Sequence, residues 1–291
     1  MTLNTDRDHI LVSTSWLADH LDNPGIRVLD CRYYFDGRDA EAIYRAGHIP
    51  GAVRLDWSRD LSDPHAEVEG MIAPAEQVEA AFSRLGVDDN TLIVTYDDEG
   101  GHFGARVWLV LARYGRADRL RILDGGWTKW VAEGRPVTTA VPEVTPGHFT
   151  VDLAHGHPEL IASLADVEAA RAHGDAVILD VRRWSEYTGE EVRAKHGGHI
   201  PGAVPMFWQN NLNWDGDRTF LPPAAIRARH EGRGITPDTP VITYCQGGVR
   251  ASNAALALLM AGYRNVRVYD GSWAEWGNRD DVPIERGGSP A

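Results

Sequence analysis

Cys31 and Cys245 are the only two cysteines in 291 residues, and they stand in opposite settings. Cys245 opens the stretch "CQGGVR", directly after the apolar run "VITY" and directly before "ASNAALALLMAG". A thiol kept for packing belongs among apolar side chains. A thiol kept for chemistry needs N–H donors and positive charge beside it, because the thiolate is the nucleophile. Here Gly247 and Gly248 open backbone angles closed to other residues. Successive N–H groups at Gln246, Gly247, Gly248 and Val249 can then turn toward one point, and a following helix N-terminus adds its own. Arg250 brings a cation to the same corner. The pattern predicts an anion cradle of six residues, Cys245–Arg250, centred on the Cys245 sulfur. Cys31, in "VLDCR", has no neighbouring glycine and reads as structural.

These residues need elements to hold them, and the chain supplies them twice. "HIPGAV" occurs at 48–53 and again at 199–204. Each copy follows an apolar run ending in Leu-Asp, "VLDCR" at 28–32 and "ILDVR" at 178–182. Each precedes an apolar run ending in Thr-Tyr, at 92–96 and 241–244, and each half closes on Asp-Gly-x-Trp-x-x-Trp. Landmarks repeated in order at this spacing mark a duplicated domain, not a short-period solenoid. The proline- and glycine-bearing stretch 137–160 shows no helical period and reads as the connection, giving domains 1–145 and 155–291.

In the second half, short apolar runs at 176–180, 203–206, 240–244 and 266–269 alternate with helical patterns at 163–173, 223–231 and 250–261. That alternation predicts an α/β fold, with mainly parallel sheets flanked by helices on both faces. Ligands then bind beyond the C-terminal ends of the strands, which is where Cys245 falls. The first half has Asp97 in the matching place, in "TYDDEGGHFGAR". Its loop counts as two residues longer and carries three acids, so the first half cannot do thiol chemistry.

Composition sets the outer limits. With 43% hydrophobic and 24% charged residues, the chain reads as an ordinary globular protein. A net charge of −13 speaks against a nucleic-acid partner, whose phosphates demand a basic face. No apolar stretch approaches the roughly 20 residues that span a bilayer, so no membrane role is expected. The N-terminus shows no basic start followed by an apolar run; with so few cysteines this predicts a reduced, cytoplasmic setting.

"GHIPGA" at 47–52 and 198–203, "YCQGGVR" and "DGSWAEWG" together resemble the signature segments of tandem rhodanese-type sulfurtransferases, the thiosulfate and 3-mercaptopyruvate group. The resemblance spans nearly the whole chain. It implies two rhodanese-like domains, the first inactive and the second carrying a persulfide on Cys245. It also implies a small anionic sulfur donor, and a small thiol, cyanide or a protein thiol as acceptor. No cofactor or metal is expected, and the histidines show no ligand spacing. Gln246, Gly247, Gly248, Val249 and Arg250 are the expected substrate-binding loop. Asp180 and Arg182 are candidates to brace it, and Arg183, Arg193 and Lys195 are candidates to add positive charge. Mercaptopyruvate-type members carry a serine where this chain has Gly247 and a histidine where it has Gly70. Animal members of both types usually have an arginine where it has Glu186. These departures favour thiosulfate and leave 3-mercaptopyruvate as the second donor. A cysteine phosphatase is the nearest rival chemistry, but only four residues separate Cys245 from Arg250 where its pattern has five, a smaller ring that suits a sulfur atom better than a phosphate group. The other reading is a non-catalytic tandem scaffold that binds anions or persulfides.

Overall fold

The structure is a computed structural model and describes residues 3–288. Each half forms a five-stranded, all-parallel sheet. The first contains β1 (Leu11–Val12), β2 (Ile26–Asp30), β3 (Val53–Arg54), β4 (Leu92–Tyr96) and β5 (Leu120–Leu123), in the order β1-β5-β4-β2-β3. The second contains β6 (Ile161–Ala162), β7 (Val177–Asp180), β8 (Val204–Pro205), β9 (Val241–Tyr244) and β10 (Val266–Tyr269), in the order β6-β10-β9-β7-β8. The duplication extends to register: Asp30 pairs with Tyr96 in the first sheet and Asp180 with Tyr244 in the second.

The predicted strands and helices of the second half appear within about two residues of their expected ends. The central strand β9 is buried along its whole length, as a strand covered on both faces must be. Burying side chains such as Ile242 contributes about 2 kcal/mol apiece. Several repeated landmarks are core residues. Ile49, Ala52, Tyr96 and Trp130 belong to one core cluster, and Ile200, Ala203, Tyr244 and Trp276 to the other.

The repeated histidines hold turns, as their presence in both halves suggests. His48 Nδ1 lies 2.9 Å from the Tyr44 carbonyl and His199 Nδ1 2.8 Å from the Tyr187 carbonyl. The indoles of Trp130 and Trp276 donate to the carbonyls of Pro136 and Pro283. The chain falls into two compact units. One holds the residues up to Asp63, Ile72–Pro158 and Asn213–Phe220; the other holds Pro64–Met71, Glu159–Leu212 and the chain from Leu221 onward. Each half therefore lends one short segment to the other unit.

Candidate active site

Strand β9 ends at Tyr244 and the next helix, Val249–Met260, starts four residues after Cys245. Val249 and Arg250 thus belong to the first helical turn, and the corner is Cys245–Gly248, shorter than the six residues expected. Gly248 caps the helix with φ of 79°, a left-handed value that glycine alone adopts freely. Gly247 has no such demand: a Cβ built there would find nothing nearer than the Glu69 carbonyl, at 3.9 Å. No side chain caps this helix, so its first N–H groups receive no side-chain oxygen from the cap position.

The first half shows what such a corner attracts. Its helix, His102–Arg113, is capped by Gly101, again left-handed at φ of 82°. From Asp97 to this cap is four positions, against three from Cys245 to Gly248. The first corner is therefore one residue longer, not two: its helix starts five positions after Asp97, against four after Cys245. The Asp97 carboxylate lies inside that corner. It accepts N–H donors from Glu99 at 3.0 Å, Gly101 at 2.8 Å and Phe103 at 2.9 Å. The acid is itself the anion that fills the cradle. Asp98, its neighbour, accepts from the Tyr34 hydroxyl, and burial raises its carboxyl above the ordinary value.

Cys245 stands at the matching point, almost completely buried, with its sulfur facing the Arg250 charge and not tied up in hydrogen bonds to the loop as the Asp97 carboxylate is. Its backbone is fixed at both ends. Its carbonyl accepts from Trp273 N–H at 3.0 Å, and its own N–H donates to Ser272 Oγ at 3.1 Å. Gln246 donates from its amide to the Arg193 carbonyl at 3.1 Å, tying the corner to the loop after residue 189. Val249 is buried behind it. Cys31 is equally buried, and burial together with Asp30 and Asp97 pushes its thiol up, away from the nucleophilic form.

Arg250 does not point into open solvent. Its guanidinium grips Glu186 with a fork, Nη1 to Oε2 at 2.7 Å and Nη2 to Oε1 at 2.9 Å. Burial alone would raise the Glu186 carboxyl, but Arg250 and then Arg182 outweigh it and bring it down to about 2. Burial works against the Arg250 charge too, yet Glu186 and the Cys245 sulfur hold that cation more firmly than a free arginine. Arg193 approaches the same carboxylate, at 3.6 Å.

The remaining candidates divide. Asp180 and Arg182 form a buried bidentate pair, and Asp180 also accepts from the Tyr244 hydroxyl at 2.5 Å. Arg182 donates onward to the Gly198 carbonyl and lies 4.5 Å over the Trp273 ring, so the pair braces the strand end from which Cys245 springs. Arg183 is exposed, and its contact here is a backbone N–H donated to Glu186 at 3.2 Å. Lys195 is engaged with Asp280 and brings no charge to the corner. Sequence reasoning missed Ser272, and noticed Glu186 only as a departure. A glutamate read as buried would have demanded a cation, and that requirement was the available signal.

A family model described as a rhodanese-like domain matches the chain twice, over residues 13–133 and 163–279. The chain belongs to the rhodanese family, in its tandem-domain form. Among curated relatives it is 36% identical to the sulfur carrier protein TtuD of Thermus thermophilus, covering 96% of this chain and 97% of that one. It is 39% identical to the thiosulfate sulfurtransferase of Azotobacter vinelandii, covering 84% and 88%. The solved structure of SseA from Escherichia coli, titled as a 3-mercaptopyruvate sulfotransferase, superposes with a TM-score of 0.79 at 30% identity, covering 90% and 98%.

Proposed function

We propose that this protein is a sulfurtransferase whose nucleophile is Cys245. It takes sulfane sulfur from a small anionic donor, thiosulfate in preference to 3-mercaptopyruvate, and passes it to a thiophilic acceptor. One observation carries the reading: the duplicated corner holds a carboxylate in a ring of N–H groups in one half, and a buried cysteine beside the Arg250 charge in the other.

The chemistry runs in two displacements. The Cys245 thiolate attacks the outer sulfur of thiosulfate; the new Sγ–S bond forms as the bond to the sulfonate sulfur breaks, and the electron pair leaves with sulfite. The acceptor, cyanide, a small thiol or a protein thiol as its anion, then attacks the terminal sulfur and returns Cys245 to the thiolate. Such covalent shuttling gives ping-pong kinetics. The loop Gln246–Arg250 supplies N–H donors to the anionic sulfur in both states. Asp180 and Arg182 hold the corner, and Arg193 supplies exposed positive charge at its rim, whereas Arg183 and Lys195 have no part in it. Domain 155–291 is the catalytic one and domain 1–145 is inactive. Glu186 favours thiosulfate: it is committed to Arg250 where animal members usually have an arginine, so a carboxylate-bearing donor loses that contact.

The setting is cytoplasmic in this reading, which suits two unpaired cysteines. Among the described residues no helix is long and apolar enough to cross a membrane. Intact-protein mass spectrometry after exposure to each donor tests the assignment. Wild type should gain one sulfur, reversed by cyanide, and Cys245→Ser should gain none. The donor that loads faster decides the preference. No gain with either donor would replace the enzyme with a binding scaffold.

A further inference from the structure

Among the described residues only two non-glycine residues have positive φ, and one is Ser272, at 48°. A side chain in this region strains the backbone, and such outliers collect at functional sites. The first half holds glycine at the equivalent point of its Asp-Gly-x-Trp motif: Gly126, at φ of 53°. A Cβ added there would come within 2.1 Å of the Asp97 carbonyl oxygen, so the first half has closed around the glycine. The second half keeps the conformation but admits a serine, completely buried.

The hydroxyl that comes with this strain does a specific thing. It donates to the Tyr269 carbonyl at 2.7 Å, which leaves its oxygen to accept the Cys245 N–H. Both halves share the other tether, the tryptophan N–H to the corner carbonyl: Trp127 to Asp97 at 2.8 Å, and Trp273 to Cys245 at 3.0 Å. They differ in how the corner residue is otherwise held. Asp97 anchors itself with its side chain, spending its carboxylate on the loop. A nucleophile cannot do that, because its side chain must stay free to react and to carry sulfur.

We infer that Ser272 is the positioning residue of Cys245: its hydroxyl moves the anchor from side chain to backbone, fixing the cysteine while leaving its sulfur free. The inference rests on Cys245 being the nucleophile. Ser272 touches neither donor nor sulfur in this scheme; it acts through the Cys245 amide.

Two variants separate the hydroxyl from the strain. Ser272→Gly removes both, and Ser272→Ala removes the hydroxyl alone. The rate of sulfur loading from thiosulfate at saturation, the donor concentration for half-maximal rate, and the melting temperature should be measured for each. Both variants should load about tenfold more slowly, a fraction of the roughly hundredfold cost of an ångström-scale misplacement. The half-saturating concentration should stay unchanged, while Ser272→Gly melts higher than Ser272→Ala. Loading at the wild-type rate in either variant overturns the role, even if the other fails to fold. So does a rate that follows the melting order, fast in Gly and slow in Ala, because that pattern belongs to a purely structural serine. Wild type that takes up no sulfur overturns the Cys245 assignment and this role together, whereas normal wild-type loading with unaffected variants removes only the role of Ser272.

Discussion

Glu186 and Arg250 show how one carboxylate sets the electrostatics beside the candidate nucleophile. The folded protein draws the Glu186 carboxyl from its ordinary 4.5 down to about 2, despite burial, because Arg250 grips it with two hydrogen bonds. A carboxyl lowered on folding stabilises the native state at every pH above its unfolded value, and the gain drains away as pH falls through the folded value. The denaturant midpoint gap between wild type and Glu186→Gln should therefore be widest near neutrality and shrink between about pH 4.5 and pH 2. A gap that is flat across that range would mean the fork contributes no charge-dependent stability. The two glycines of the corner make a second test at this scale. Gly248→Ala should cost about 1–2 kcal/mol, the ordinary price of a Cβ in the left-handed region, while Gly247→Ala should stay within about 0.5 kcal/mol. The sequence reading treated both as necessary, since adjacent glycines look alike until their φ values are known.

At the scale of elements, the first-half corner between a buried strand and a buried helix is an anion site. Asp97 occupies the first-half corner with at least three N–H donors. Replacing it by alanine strands those buried donors, so Asp97→Ala should lower stability by about 1–3 kcal/mol in denaturant unfolding. An unchanged midpoint would show that water satisfies them as well as the carboxylate does. The long elements were legible because their chemistry is periodic or continuous: "VITY" and "LIVTY" have β-branched apolar runs, and "ASNAALALLMAG" has a helical apolar face. The helices Trp184–Thr188 and Ser272–Trp276 were not, because five residues make barely more than one turn and no periodicity can build up. The edge strands β1 and β6, two residues each, offer no alternation to read. Yet these short pieces carry Glu186 and Ser272. The part of the candidate site with glycines and a cysteine was readable; the part that positions them sat in segments too short to declare themselves.

The whole molecule is one design used twice, and that makes each half a control for the other. Strand order, register and core landmarks repeat, and so does a buried triad: Asp30 with Arg32 and Tyr96, and Asp180 with Arg182 and Tyr244. In each, the arginine reaches a glycine carbonyl just before the His-Ile-Pro turn and lies over a tryptophan, at 4.4 Å for Trp127 and 4.5 Å for Trp273. The segments 64–71 and 213–220, which join the opposite unit, could not be foreseen, because nothing in their composition says which sheet they will pack against. Removing one partner of a buried ion pair leaves the other charge uncompensated, a loss on the order of 3–5 kcal/mol. Asp30→Asn and Asp180→Asn keep shape and remove charge, so they should destabilise by similar, smaller amounts. Their effects on chemistry should diverge. Only Asp180 stands at the strand end beside Cys245, so under conditions where both variants are folded, Asp180→Asn should slow sulfur loading while Asp30→Asn leaves the rate per folded molecule unchanged. Equal slowing in both would mean that the lost rate does not come from the place of Asp180 beside Cys245. Equal retention would mean that the corner is held without the Asp180 charge, by the Ser272 and Trp273 tethers alone.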